Sequence, residues 1–493
     1  MTSNTQKYIV MTATVEGSTF VGPFQRSSFQ SGGVTALLRN AFPAGANIPV
    51  TSSAVDDVAM LELTDDQARS FEVANGAIKL HPVRTYRLAA IEIDRALMAA
   101  GPYSFGIVPQ VTNTPFRIRV EGPRGQPVAN AGVVVCEWGT NNVLEGKTDA
   151  TGHATIPTGV GLANFVRVTP FADFWGQSKS GIMAIHGPVV FTLDALDPTY
   201  VDSFKFHYPP NQPLQGGTQV GRRVKVAVID TGVDDHPDLG NVTHRISHTQ
   251  ADDADDLGDN GTGHGTHVAG IIGGRGRVSG LAPNAELMSF RVFERDAVEA
   301  DTLYIFEAVR NAVDHGADII NLSLGQEKVD DVLESAIKYA EENGVLVVAA
   351  SGNDGHSAPV FPASYPEVVS VAAVGRSGTF PSGSVHASWP KRAKGTDSKD
   401  FVPAFSNHGK VELAAPGVAV ISTVGVSGYA AKDGTSMACP IVSGFAARLL
   451  ETAPELAGRP RSSDRLVDLK SLLYKTCNSL GFDKFDVGSG LPH

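Results

Sequence analysis

The sequence predicts an α/β body preceded by a small α+β unit and a β-sandwich, and three observations carry that reading. Lys225–Ile229 is rich in valine and isoleucine and runs into Asp230 at a Thr-Gly turn, the pattern of a buried strand ending at the carboxyl edge of a sheet. Apolar runs at Val268–Ile272 and Val442–Leu450 read as helices that cover such a sheet. Between residues 114 and 196 the pattern changes to short strand-like segments separated by turn residues. At 493 residues the chain has room for about three domains. Their boundaries read as 1–90 for the α+β unit, 91–113 for a linker, 114–196 for the sandwich and 197–493 for the α/β body.

From the N-terminus, Tyr8–Met11 reads as a strand, the Gly/Ser-rich stretch near Gly32 as a turn region and Val34–Phe42 as a short helix. Val58–Leu63 reads as a second strand. Thr64 then caps a helix that runs through Gln67 and Phe71, and Ala77–Val83 reads as the closing strand. The sandwich strands are expected at Phe116–Val120, Gly132–Cys136, Ala154–Ile156, Phe165–Val168 and Val189–Leu193. Residues 197–221, rich in Pro and Gly, read as the linker and leading strand of the α/β body.

Charge and composition exclude several classes. The formal net charge is −12 and no long Lys/Arg run occurs, which argues against nucleic acid or an anionic membrane as the main partner and points to protein instead. No apolar run approaches the roughly 20 residues of a membrane helix. Met1–Gly22 lacks the pattern of a secretory signal, so the chain is expected to be cytoplasmic, with secretion as the alternative if a leader has been trimmed. Cys136, Cys439 and Cys477 are too few and too odd in number for a disulfide framework.

Three short motifs carry the chemistry: Val-Ile-Asp-Thr-Gly ending at Gly232, His-Gly-Thr-His-Val-Ala-Gly from His264, and Gly-Thr-Ser-Met-Ala-Cys-Pro from Gly434. A serine hydroxyl is a poor nucleophile near pH 7 and needs an imidazole to take its proton. The imidazole in turn needs a carboxylate to fix its tautomer. Asp230, His264 and Ser436 suit those three roles, with His264 at a helix N-terminus and Ser436 on a tight turn before a helix that takes Pro440 at an early position. His264 and His267 stand three residues apart, whereas zinc sites of the His-Glu-x-x-His type want four and an intervening glutamate. His267 is therefore read as packing, and Cys439 as a small buried apolar residue.

On these motifs the chain resembles the subtilisin-like serine proteases, the subtilase family, over residues 222–492, with the family's order of Asp, His, Ser. Gly280-Leu-Ala-Pro-Asn-Ala-Glu, Asn321-Leu-Ser-Leu-Gly, Ala349-Ala-Ser-Gly-Asn-Asp-Gly, Ala414-Ala-Pro-Gly and Gly488-Ser-Gly-Leu-Pro resemble further family segments. The resemblance implies a three-layer domain with a mostly parallel central sheet. It also implies a serine endopeptidase in which Asn353 donates to the oxyanion. Substrate would pair in extended form with Ser323, Leu324 and Gly325, and Ala350, Ser351 and Gly352 would wall the neighbouring pocket, with Asp354 near the rim. Residues from Lys7 to about Leu88, with their strand, helix and closing strand, resemble the family's inhibitor-type propeptide, which implies a zymogen held by its own N-terminal segment. A propeptide's end must reach the active site, which favours processing near Leu88 over processing near Leu196.

Gly125-Gln-Pro-Val-Ala-Asn-Ala and Thr148-Asp-Ala-Thr-Gly resemble transthyretin-like or carboxypeptidase-regulatory-like sandwiches, expected to act as a spacer or docking module. No cofactor is expected to be required. The acidic stretch from Ala251 to Asn260 reads as a solvated loop, with Ca²⁺ binding as the alternative. Gly273–Ser279 departs from the family's Asn-containing calcium loop, and its arginines would repel a cation. Two other functions stay open at this level. One is a scaffold that binds through the sandwich, and the other is an esterase using the same acyl chemistry.

Overall fold

The computed structural model describes residues 5–11, 41–42, 48–52, 58–75, 79–89, 114–140, 142–184, 187–209, 223–249, 257–356, 358–453, 455–456 and 458–493. The expected turn near Gly32, most of the expected helix at Val34–Phe42 and the stretch 251–256 lie outside them.

Strand Lys225–Asp230 sits inside a nine-stranded sheet, flanked by Glu286–Arg291 and Ile319–Leu322. Leu346–Ala350 and Val369–Arg376 continue the sheet, and all of these neighbours are parallel. Only the far edge, Asp400–Pro403 with Lys391–Lys394, is antiparallel. Because strand side chains alternate in direction, the valines and isoleucines of one strand feed two cores. Val226 and Val228 join the core that contains helices His264–Gly273 and Thr435–Thr452. Ala227 and Ile229 join the core that contains Thr302–Asp314 and Asp331–Glu342. The result is the three-layer α/β arrangement expected from the resemblance, with helices on both faces of a mostly parallel sheet.

The N-terminal residues form a second sheet in the order Val50–Ser52, Val58–Leu63, Gln6–Met11, Leu80–Pro82, with helix Asp65–Asn75 on one face. Thr64 Oγ1 accepts from the Gln67 amide at 3.3 Å while Gln67 Oε1 accepts from the Thr64 amide at 2.8 Å, a reciprocal capping box. Val10, Leu61 and Phe71 lie in this unit's own small core, but Ile9, Val58 and Met60 point the other way into the helical core of the α/β body.

Two further sheets form a sandwich around Phe116, Ile118, Val133, Val135 and Phe191. Strands stand at the five expected places and also at Val143–Lys147 and Gln177–Met183. Those two are the edges of their sheet and alternate weakly in burial, which is why apolar periodicity alone does not reveal them.

One expectation changes in detail. The helix that carries Ser436 begins at Thr435, so Pro440 is its sixth residue rather than an early one. Proline has no N–H to give to the carbonyl four residues back. The Ser436 carbonyl is thereby freed, and Ser323 Oγ donates to it at 3.1 Å.

Candidate active site

Asp230 is the last residue of its strand and His264 the first of its helix, and they meet because the chain between them has small residues at the contact. A side chain at Gly265 would come within 2.2 Å of the Gly232 carbonyl oxygen, so only glycine lets the helix approach the strand this closely. His264 Nδ1 lies 2.7 Å from Asp230 Oδ1, and both residues are buried. Asp230 Oδ1 also accepts from the Thr231 amide at 2.8 Å. Thr231 Oγ1 accepts from the Gly265 amide and donates to Asp259 Oδ2, at 2.8 and 2.7 Å. Asp259 Oδ1 then accepts from the amides of Gly261 and Gly263, at 2.9 and 2.6 Å. Burial pushes the Asp259 carboxyl up while these bonds oppose the shift. Sequence reasoning missed this organising role, since Asp259 was grouped with the acidic stretch that precedes it.

Ser436 is the second residue of its helix and fully buried. Its hydroxyl donates to the Ser323 carbonyl at 3.0 Å, and His264 Nε2 has no hydrogen-bond partner among the described residues. Asn353 is held by its oxygen: Oδ1 accepts from the amide and the hydroxyl of Thr435 at 2.9 and 3.0 Å. That fixes the amide so that Nδ2 faces the site.

The cleft is filled by the chain itself. Residues Thr85–Leu88 form a strand between Glu299–Asp301 and Leu324–Gly325, antiparallel to both. The Ala89 amide donates to the Ser323 carbonyl at 3.0 Å. The Ala89 carbonyl oxygen accepts from the Ser436 amide at 3.1 Å and from Asn353 Nδ2. The same carbonyl therefore receives one backbone and one side-chain donor, the geometry that stabilises negative charge on a carbonyl oxygen under attack.

Ser323, Leu324 and Gly325 are thus brought against an extended peptide. Ala350 closes its strand and lies in one apolar cluster with Ala89, while the Ser351 hydroxyl turns away to the Asn407 carbonyl at 3.3 Å. Gly352 has φ +106°, and a side chain there would meet Asn407 Nδ2 at 2.4 Å. Asn407, unnoticed in the sequence, shapes this turn by accepting from the amides of Asp354 and His356, each at 3.0 Å.

His267 is fully buried, with Nε2 3.1 and 3.0 Å from the Val420 and Ala430 carbonyls, and burial holds its imidazole well below the ordinary range. The Cys439 thiol is buried, pushed up by desolvation, and donates to Asn321 Oδ1 at 3.2 Å. Among the described residues no group of three or more His, Cys, Asp or Glu gathers as for a metal ion, and residues 251–256 of the acidic stretch lie outside them. No helix among the described residues is long and apolar enough to cross a membrane.

Comparison with known proteins places the chain in a family. The family model described as the subtilase family matches residues 221–490. A thermophilic serine proteinase from Bacillus sp. (strain AK1) is 40% identical over 234 residues, which is 46% of this chain and 51% of that protein. Subtilisin BL from Lederbergia lenta is 36% identical over 275 residues, 55% of this chain and 89% of that protein. The minor extracellular protease Epr of Bacillus subtilis (strain 168) is 34% identical over 241 residues, 48% of this chain and 33% of that protein. The chain thus spans about half the length of the first relative and most of the second. It belongs to the subtilase family and is a subtilisin-like serine protease.

Proposed function

We propose that Asp230, His264 and Ser436 form the catalytic triad, that Asn353 and the Ser436 amide form the oxyanion hole, and that the chain is a zymogen whose own residues 85–89 block the cleft. The reading is carried by the Ala89 carbonyl, which accepts from both the Ser436 amide and Asn353 Nδ2. In this mechanism the Ser436 hydroxyl rotates from the Ser323 carbonyl toward His264 Nε2, gives up its proton there and attacks the carbonyl carbon. Asp230 holds the resulting imidazolium. His264 passes the proton to the departing amine as the C–N bond breaks, and water, activated by the same imidazole, releases the acyl group from Ser436. For the chain's own first turnover the bond broken is Ala89–Ala90, which leaves the sandwich on the mature enzyme.

Protein substrates would replace residues 85–89 in the same extended pairing. That mode reads main chain first, and Tyr86 and Ala89 are the buried residues of the segment. The name of the extracellular relative favours secretion over the cytoplasmic expectation, and recovery of activity from culture medium rather than from lysed cells tests the point.

The central experiment is intact mass spectrometry of the purified chain beside Ser436→Ala. Loss of residues 1–89 from the wild type alone is the expected result. A wild type that stays whole and fails to react with a fluorophosphonate would overturn the assignment.

A further inference from the structure

We propose that the β-sandwich is a working part of the catalytic unit, with Trp175 positioning the turn that carries Ser436 through His386 and Asp433. The inference rests on the assignment of Ser436 as nucleophile.

The segment joining sandwich strands Leu162–Thr169 and Gln177–Met183 lies on the α/β body. There the Asp173 amide donates to the Tyr429 carbonyl at 2.7 Å, and the Tyr429 amide returns a bond to Asp173 Oδ1 at 3.1 Å. Tyr429 belongs to strand Gly428–Lys432, which leads directly into Asp433. Trp175, 3% exposed, packs in the main core of the α/β body and not in the sandwich core. Its ring meets His386 edge-on, with centroids 5.6 Å apart, and the Gly176 carbonyl accepts from the Val385 amide at 2.9 Å.

His386 Nδ1 stands 2.8 Å from each oxygen of Asp433. Trp389 Nε1 donates to Asp433 Oδ2 and the Ala419 amide to Oδ1, both at 2.7 Å. Trp389 is itself covered by the sandwich, because the Arg167 guanidinium lies 5.1 Å from its ring centroid. Both rings that grip the Asp433 carboxylate are therefore touched by sandwich side chains. Burial alone would push the Asp433 carboxyl up, yet the His386 charge and these donors hold it below its usual range, so it is the anion that is gripped.

Asp433 precedes Gly434, whose φ of 142° and amide bond to the Gly417 carbonyl at 2.9 Å set the entry to the helix carrying Ser436. A spacer has no need to bury a tryptophan in its neighbour's core. A displacement of about 1 Å in a group that must meet a reacting carbon costs on the order of 10² in rate. A shift of the turn that aims Ser436 therefore acts on turnover more than on binding, because the pairing that holds an extended peptide is made by strands 299–301 and 324–325, away in sequence from residues 433–434.

The test compares the self-processed wild type with Trp175→Ala, Trp175→Phe and Asp433→Asn on one peptide substrate. Trp175→Ala and Asp433→Asn are expected to lower kcat by about 10- to 100-fold with KM within about 2-fold, and Trp175→Phe to recover most of the loss. Asp433→Asn keeps the volume of the side chain and decides the matter if Trp175→Ala has no melting transition. If both variants keep kcat within about 2-fold of wild type, the sandwich is a passive attachment and the proposal falls. If the wild type neither hydrolyses peptide nor labels at Ser436, the assignment of the nucleophile falls first, and that result is distinct from active variants beside an active wild type.

Discussion

Two pieces of chain that precede the α/β body in sequence dock on it with a different balance of main-chain and side-chain contacts. Residues 85–89 attach largely through main-chain hydrogen bonds to strands 299–301 and 324–325 and to the Ser436 amide. The sandwich adds buried side chains to its main-chain bonds at Tyr429 and Val385, with Trp175 sunk in the main core and the Asp433 carboxylate enclosed by rings it touches. Main-chain pairing is nearly blind to sequence, so another extended peptide can take the place of residues 85–89. Side-chain burial is specific, and nothing else in solution reproduces it. On the proposed reading, the first contact is exchanged for substrate and the second persists.

The largest expected effect that separates the two is at Asn353. Removing one such side-chain donor in subtilisin itself costs about 10²–10³ in kcat, and the same range is expected for Asn353→Ala here. The variant also deprives the Ala89 carbonyl of a donor, so intact-mass time courses should show slower processing while the melting temperature, governed by the persistent packing, stays near that of the wild type.

A second test addresses the short helix Ser203–His207, which follows the sandwich. Burial lowers the His207 imidazole to about 4, outweighing Asp400 at 3.7 Å. The folded state thus binds fewer protons than the unfolded chain, whose histidines titrate near 6.5. This contribution is fully present above about pH 6.5 and is withdrawn as pH falls toward 4, by roughly 3 kcal/mol at most. Melting temperatures measured from pH 7 to pH 4 should fall, and His207→Leu should flatten the slope. An unchanged slope would mean that other groups, with buried His267 the first to examine, set the acid sensitivity.

The smallest effect tests how far main-chain pairing alone holds the blocking segment. The Tyr86 hydroxyl donates to Asp330 Oδ2 at 3.0 Å, and that oxygen keeps a second donor, Thr302 Oγ1 at 2.7 Å. Tyr86→Phe should therefore weaken the segment's hold by only about 1 kcal/mol. The readout is the rate at which a fluorophosphonate labels freshly folded full-length chain, which should rise by about fivefold. A rise of a hundredfold would show that a side chain, not the main chain, carries the attachment.

Much of this was legible in the chain. Short-range chemistry announces itself in short motifs: the valine-rich run into Asp230, the glycines around His264 and the turn before Ser436 each belong to one strand end or one helix start. Capping at Thr64 and the alternating sandwich strands were readable for the same reason. The edge strands Val143–Lys147 and Gln177–Met183 were not, because weak alternation leaves no period to read. Pro440 misled on the helix start, since a neighbouring hydroxyl supplies the donor that proline lacks.

By itself, then, the sequence determined the fold class and proposed the chemical set and the order of the units, since each is read from residues close together along the chain. Tertiary structure alone decided that the Ala89 carbonyl meets Asn353 across 264 residues, that the Ser436 hydroxyl rests on Ser323, and that Trp175 belongs to the core of the α/β body. Such contacts join surfaces whose residues carry no local pattern. They exist only once burial has chosen which faces meet.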